Sequence, residues 1–272
     1  MSNAWFSNKL APDGDVEDGC HPDEAEALKK YLRREIVAEE AAQSISRPIA
    51  NASNPGEDLP RLWALLIDAL TELPSENIEP LIALIKAIED LPEPDMADVE
   101  ESKRPAHGKL WRGLPGFGHL YADMHQSSDW REDALKADAT DRDRLREYHV
   151  RKAKVEARLA VAGLASIPID WGYETVADAL ESSDALLDFQ IPAAAKWLEI
   201  AGARFREGVT KGEESWALDR KRDLWEGGKV MTMERYALWR DRLENLKVQT
   251  HYAHYDVTLQ AAERALEFME GR

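Results

Sequence analysis

The strongest constraint on the fold lies in the last third of the chain. Val248, Tyr252, Tyr255, Leu259, Ala262, Leu266 and Met269 follow one another at spacings of 4, 3, 4, 3, 4 and 3. That is the repeat of residues stacked along one face of an α-helix. Tyr236, Trp239, Leu243 and Leu246 make a second stripe, spaced 3, 4, 3 and out of phase with the first. The phase break predicts two helices, or one helix bent near Lys247–Thr250. No stretch alternates apolar and polar residues for long enough to specify a strand, so the expected fold class is all-α.

The rest of the chain reads the same way. Leu28, Leu32 and Ile36 share a helical face from near Pro22 to about Gln43, and residues 46–60, with three prolines, read as a loop. Pro60–Leu73 and Ser75–Leu91 are apolar around most of their circumference, which places them in a core. Both end alike, in Ala-Leu-Thr-Glu-Leu-Pro74 and Ala-Ile-Glu-Asp-Leu-Pro92, an echo that suggests a stacked helical hairpin. Residues 92–108 read as an exposed linker, and Gly113, Pro115, Gly116 and Gly118 as a turn leading into a helix. A long basic helix is expected over Asp141–Ala165 and another within residues 171–187. The next should start at Pro192 and stop at Gly208. The expected architecture is a mobile acidic N-terminus, residues 1–21, followed by a single compact domain over residues 22–272, with about nine or ten helices in stacked hairpins.

Charge narrows the partners. The 272 residues hold 52 acidic and 35 basic side chains, a net of −17. Residues 1–101 alone hold 23 acids and 8 bases, a net of −15. Such a chain is repelled by nucleic-acid phosphates and by anionic membranes. The apolar stretches Leu62–Leu70 and Leu81–Ile88 carry Asp68 and Lys86 and fall short of the roughly 18–20 residues of a membrane span. The start of the chain lacks the basic and apolar regions of a secretory leader. The expectation is a soluble, cytoplasmic protein that binds neither nucleic acid nor membrane. Its one cysteine, Cys20, allows no internal disulfide and no Cys-rich zinc site.

Familiar chemical motifs are absent: no phosphate-binding loop, no His-Glu-x-x-His, no nucleophile elbow and no EF-hand loop. The residues with catalytic potential are His119 and Asp123, four apart, and His251 and His254, three apart. On helices each pair would share one side. Imidazoles and carboxylates so spaced can move protons or share a divalent metal, yet Tyr252 and Tyr255 belong to the core stripe and leave His251 and His254 on its flank. No metal and no cofactor is called for. Among nine tryptophans, Trp63, Trp197 and Trp239 sit on apolar stripes and read as core. Trp111, Trp130, Trp171, Trp216 and Trp225 lie near turns or polar residues, where an indole can line a pocket or an interface.

Several segments, in order, resemble an uncharacterised family of helical fungal proteins of unknown function. They are Leu62-Trp63-Ala64-Leu65-Leu66, Trp111-Arg112-Gly113-Leu114-Pro115-Gly116-Phe117-Gly118, and Ile191-Pro192-Ala193-Ala194-Ala195-Lys196-Trp197-Leu198 with Ala201-Gly202. Met233-Glu234-Arg235-Tyr236-Ala237-Leu238-Trp239 and the closing Ala261–Met269 complete the set. The resemblance implies an ascomycete, single-domain helical protein and brings no reaction, substrate or catalytic residue. Two readings remain open. One is a non-enzymatic module that binds a protein partner or a small molecule, a second copy of itself included. The other is an enzyme of unfamiliar type, in fungal secondary metabolism, built on the His/Asp/Tyr cluster.

Overall fold

The computed structural model describes residues 3–16, 19–97, 99–104, 108–126, 129–248 and 255–269. Among these residues there is no β-strand, only two isolated antiparallel bridges, Glu214 with Val230 and Arg222 with Trp225. Everything regular is helical, as the periodicity requires. The chain divides into two compact units, Met1–Ser127 with Leu164–Ser166, and Ser128–Gly163 with Ile167–Arg272.

The first unit holds α1 (Asn3–Leu10), α2 (Pro22–Leu32), α3 (Ala38–Ala50), α4 (Pro55–Glu72), α5 (Ile78–Glu89) and α6 (Phe117–His125). Residues 3–10, within the stretch expected to be mobile, form α1. It is tied to α4 by Lys9 on Asp68 at 2.6 Å and by the Trp5 indole N–H donating to Glu72 at 2.7 Å. At the start of α2, the His21 ring accepts the Asp23 N–H while Glu24 accepts the His21 N–H, two otherwise orphaned donors satisfied reciprocally. The single helix expected from Pro22 to Gln43 is two helices, because Arg34 turns the chain in a left-handed conformation, φ 62°. The expected loop at 46–60 is mostly helix. Pro48 and Pro60 lie inside α3 and α4, where neither has an N–H to give to its helix. The core is the apolar face of α3, α4 and α5, with Ile45, Leu62, Leu66, Leu70, Leu81 and Ile85 all fully buried. Each such side chain contributes about 1.5–3 kcal/mol.

Residues 92–108 lie inside this unit and are mostly exposed where described. They do carry a structural role: the Glu93 carboxylate accepts the N–H groups of Leu110, Trp111 and Arg112, at 2.8, 3.2 and 2.8 Å. That clamp opens the turn into α6, where Gly113 and Gly116 sit at φ 78° and 80°. The Trp63 indole donates to the Pro115 carbonyl at 2.8 Å and meets Phe117 edge-on at 5.6 Å. The turn runs through Gly113, Pro115 and Gly116 as its residues suggest, but Gly118 lies inside α6, which starts at Phe117; the turn docks α6 onto α4.

The second unit holds α7 (Trp130–Lys136), α8 (Ala139–Ala162), α9 (Asp170–Leu180), α10 (Leu187–Lys211), α11 (Met233–Val248) and α12 (Tyr255–Met269). Helix α10 is central and packs against α8, α9 and α12. It starts at Leu187 rather than Pro192 and runs past Gly208 to stop at Gly212, φ 60°. Gly208 serves packing instead of termination, since a Cβ there would lie 2.1 Å from the Tyr173 hydroxyl of α9. Gly172 of α9 does the same against the Trp197 ring. Trp197 and Trp239 are core, as read, and so is Trp63 in the first unit. The basic face of α8 is answered within this unit by Arg142 on Asp188 at 3.0 Å, Arg146 on Asp143 at 2.7 Å and Lys152 on Glu156 at 2.8 Å. Helices α11 and α12 lie on either side of residues 249–254, and the expected phase break falls largely in that stretch, outside the described residues.

Candidate functional site

Helix α9 places Asp170, Glu174, Asp178 and the following residue Glu181 at spacings of 4, 4 and 3, so the four acids form one ridge. Four carboxylates in a row repel one another unless answered. The segment between α10 and α11 answers them in register. Ser215 donates to Asp170 at 2.5 Å, Arg220 reaches Glu174 at 3.4 Å, and Arg222 donates to Asp178 at 2.7 Å. Arg235, at the start of α11, donates to Glu181 at 2.7 and 3.2 Å. Burial and the neighbouring Asp178 charge raise Glu174 above the usual carboxylate range, against the pull of Arg220 and Arg222.

From Arg220 onward burial deepens along this ladder. Arg220 is exposed, Arg222 is buried, and Glu181 and Arg235 are both 0% exposed. A buried ion pair persists only when its remaining donors and lone pairs are also used. Arg235 fills its whole set. Nε and Nη2 serve Glu181, Nη2 also serves the Leu218 carbonyl at 3.0 Å, and Nη1 serves the carbonyls of Gly228 and Val230 at 2.8 and 3.2 Å. Glu181 accepts in addition the Trp239 indole N–H at 2.7 Å. One guanidinium therefore ties together α9, α11 and the backbone of the connecting segment.

The two ends of that segment are fastened separately. Ser215 N–H donates to Lys229 O and Met231 N–H to Glu213 O, at 2.9 and 2.8 Å. Glu213 accepts from Tyr173 at 2.9 Å and from Arg204 at 2.6 Å. The Arg204 bonds hold Glu213 below its ordinary value, while burial pushes the Tyr173 phenol up. Ala217, Leu218 and Met231 are buried. Between these anchors, on a single 3-10 turn over Trp216–Leu218, the Trp216 indole points outward and is 59% exposed.

The residues singled out from sequence stand elsewhere. His119 and Asp123 lie one turn apart on α6 in the first unit, both exposed, flanking the buried Tyr121. His251 and His254 lie outside the described residues. Among the described residues no group of three His, Cys, Asp or Glu side chains is placed to hold a metal. Burial pushes the Cys20 thiol up to about 11, which keeps it protonated and poorly nucleophilic at neutral pH. The histidine that spacing alone overlooked is His149, packed at 4.4 Å on the Trp130 ring and near Phe189. Burial, with Lys152 and Arg131 nearby, lowers it to about 3. The acid ladder at 170, 174, 178 and 181 was the sequence signal for the clamp.

Fold and site together define an all-helical protein in which the buried Glu181–Arg235 pair and Arg222 hold one connecting segment against a helix. The chain belongs to the family described as "Protein of unknown function (DUF3632)", which it matches over residues 63–243. No curated protein and no solved structure matches it.

Proposed function

We propose that this chain is a non-catalytic helical binding protein and that the Trp216 turn is its recognition element for a protein partner. The observation that carries this reading is the 59% exposure of Trp216 on a turn anchored by the buried Arg235–Glu181 pair. A tryptophan offers about 150–250 Å² of contact surface, and tryptophan is enriched among the few residues that dominate interface energies. Fixing its turn in advance removes much of the ordering cost of binding. An outward-facing indole suits the surface of another protein better than a small molecule, which needs a concave lining. The resemblance to fungal proteins and the single, half-buried thiol support a setting inside a fungal cell.

The test is capture from extracts with the wild-type chain and with Trp216→Ala, followed by reconstitution with the purified candidate. The reading expects a partner retained in stoichiometric amount by the wild type, lost with the variant, and rebound from pure components. A second copy of the chain would show as Trp216-dependent self-association. Retention by both forms alike counts against it.

A further inference from the structure

We infer that residues 219–229 form a gate over the Glu181–Arg235 pair that opens without unfolding of the second unit. This inference stands independently of any partner at Trp216. The segments on either side are locked by the buried Ala217, Leu218 and Met231. Within the gate only Arg222 is buried: Asp219, Arg220, Lys221, Asp223 and residues 226–229 are exposed, and Leu224 and Trp225 are half-buried.

The gate is held shut by Arg220 on Glu174, by the Arg235 bond to the Gly228 carbonyl, by the Ser215 N–H bond to the Lys229 carbonyl at its end, and by the following contacts. Arg222 donates to Asp178, the Leu224 N–H donates to the Glu181 carbonyl at 2.9 Å, and the Asp223 carboxylate accepts the Ser183 N–H at 2.9 Å and hydroxyl at 2.5 Å. The Trp225 ring lies over Arg235, whose guanidinium carbon is 5.2 Å from its centre. Against these stands a built-in cost. Arg222 Nη2 and the Trp225 indole N–H are buried and have no hydrogen-bond acceptor among the described residues. Buried donors left unpaired are destabilising, and both reach solvent when the gate lifts. A region with few buried contacts and exposed backbone bonds is drawn from the low-stability end of a fold. Closure also depends on Gly227, where a Cβ would lie 2.4 Å from atoms of the Trp225 ring. Lifting the gate frees Arg235 from the Gly228 carbonyl, while its bonds to Glu181 and Leu218 stay.

Amide hydrogen exchange of the full chain tests this. In the wild type the Leu224 amide should exchange at least about tenfold faster than the Trp197 amide of α10. Gly227→Ala should accelerate Leu224 further and leave Trp197 unchanged. A Ser183→Cys/Asp223→Cys crosslink, in a Cys20→Ser background, should slow Leu224 alone and serves if Gly227→Ala does not fold. Equal rates for Leu224 and Trp197 in the wild type would overturn the inference, as would a crosslink that leaves Leu224 unchanged.

Discussion

The carboxylate of Glu181 and the guanidinium of Arg235 meet at 2.7 Å with both side chains sealed from solvent. Removing either partner leaves an uncompensated buried charge. Arg235→Ala and Glu181→Ala should each cost about 3–5 kcal/mol in chemical denaturation. Replacing both with apolar residues of similar volume, Glu181→Leu with Arg235→Met, should recover much of that loss, because desolvation offsets most of what the pair contributes. A double variant as unstable as the singles would mean that the carbonyl and indole bonds outweigh the ion pair.

Gly208 gives a second, sharper test of packing. Gly→Ala inside a helix ordinarily gains up to about 1 kcal/mol. Here the new Cβ would lie 2.1 Å from the Tyr173 hydroxyl, and overpacking costs about 1–3 kcal/mol. Gly208→Ala should therefore destabilise, and more so than Gly208→Ala measured in a Tyr173→Phe background. Additivity between the two changes, read from urea melts, would place the clash elsewhere.

The half-buried His149 and the buried Glu24 should give the two units opposite responses to pH. His149 has its folded value lowered to about 3, so the unfolded chain binds its proton first. Its contribution is complete above about pH 6.5 and is lost as pH falls towards 3. Glu24 has its folded value raised to about 7 by burial, so the folded chain keeps its proton longer. Its contribution is complete below about pH 4.5 and is lost as pH rises through 7. His149→Phe should flatten the acid limb of the stability profile. Glu24→Gln, which keeps the acceptor for the His21 N–H, should stabilise at pH 8 by roughly 1–3 kcal/mol. A Glu24→Gln variant less stable than wild type at pH 8 would show that Glu24 is charged and satisfied in the fold.

Glu93 should matter beyond its exposed position. Glu93→Ala removes the acceptor for three consecutive N–H groups and should destabilise by about 1–3 kcal/mol. Glu93→Gln should fall in between, since it retains one carbonyl oxygen. Thermal melts of the two variants separate this clamp from a merely solvated charge.

Helical class and the core faces were legible because 3.6-residue periodicity records burial directly. Trp63, Trp197 and Trp239 were placed in the core by their stripes alone. What periodicity could not show was tertiary use of a residue that also has a local meaning. Gly208 has the local signature of a stop, but Tyr173, 35 positions away in sequence, makes it a packing residue inside α10. Pro48 and Pro60 look like loop markers and sit inside helices whose buried faces outweigh one lost bond. The site was legible only by half. The acid spacing on α9 is visible in the sequence, whereas its register with Ser215, Arg220, Arg222 and Arg235 depends on how the connecting segment folds back. The histidine pairs drew notice through spacing, yet exposure of His119 and Asp123 was not encoded in it.

Affinity and stability measured together on one variant test the role of Trp216. Trp216→Ala should change the free energy of unfolding by no more than about 0.5 kcal/mol, because the indole is mostly solvent-facing. Titrated against the purified partner, or followed by sedimentation if the partner is a second copy, the same variant should lose at least about 2 kcal/mol of binding free energy. A variant that melts like the wild type and binds with undiminished affinity would show that Trp216 is not the recognition element.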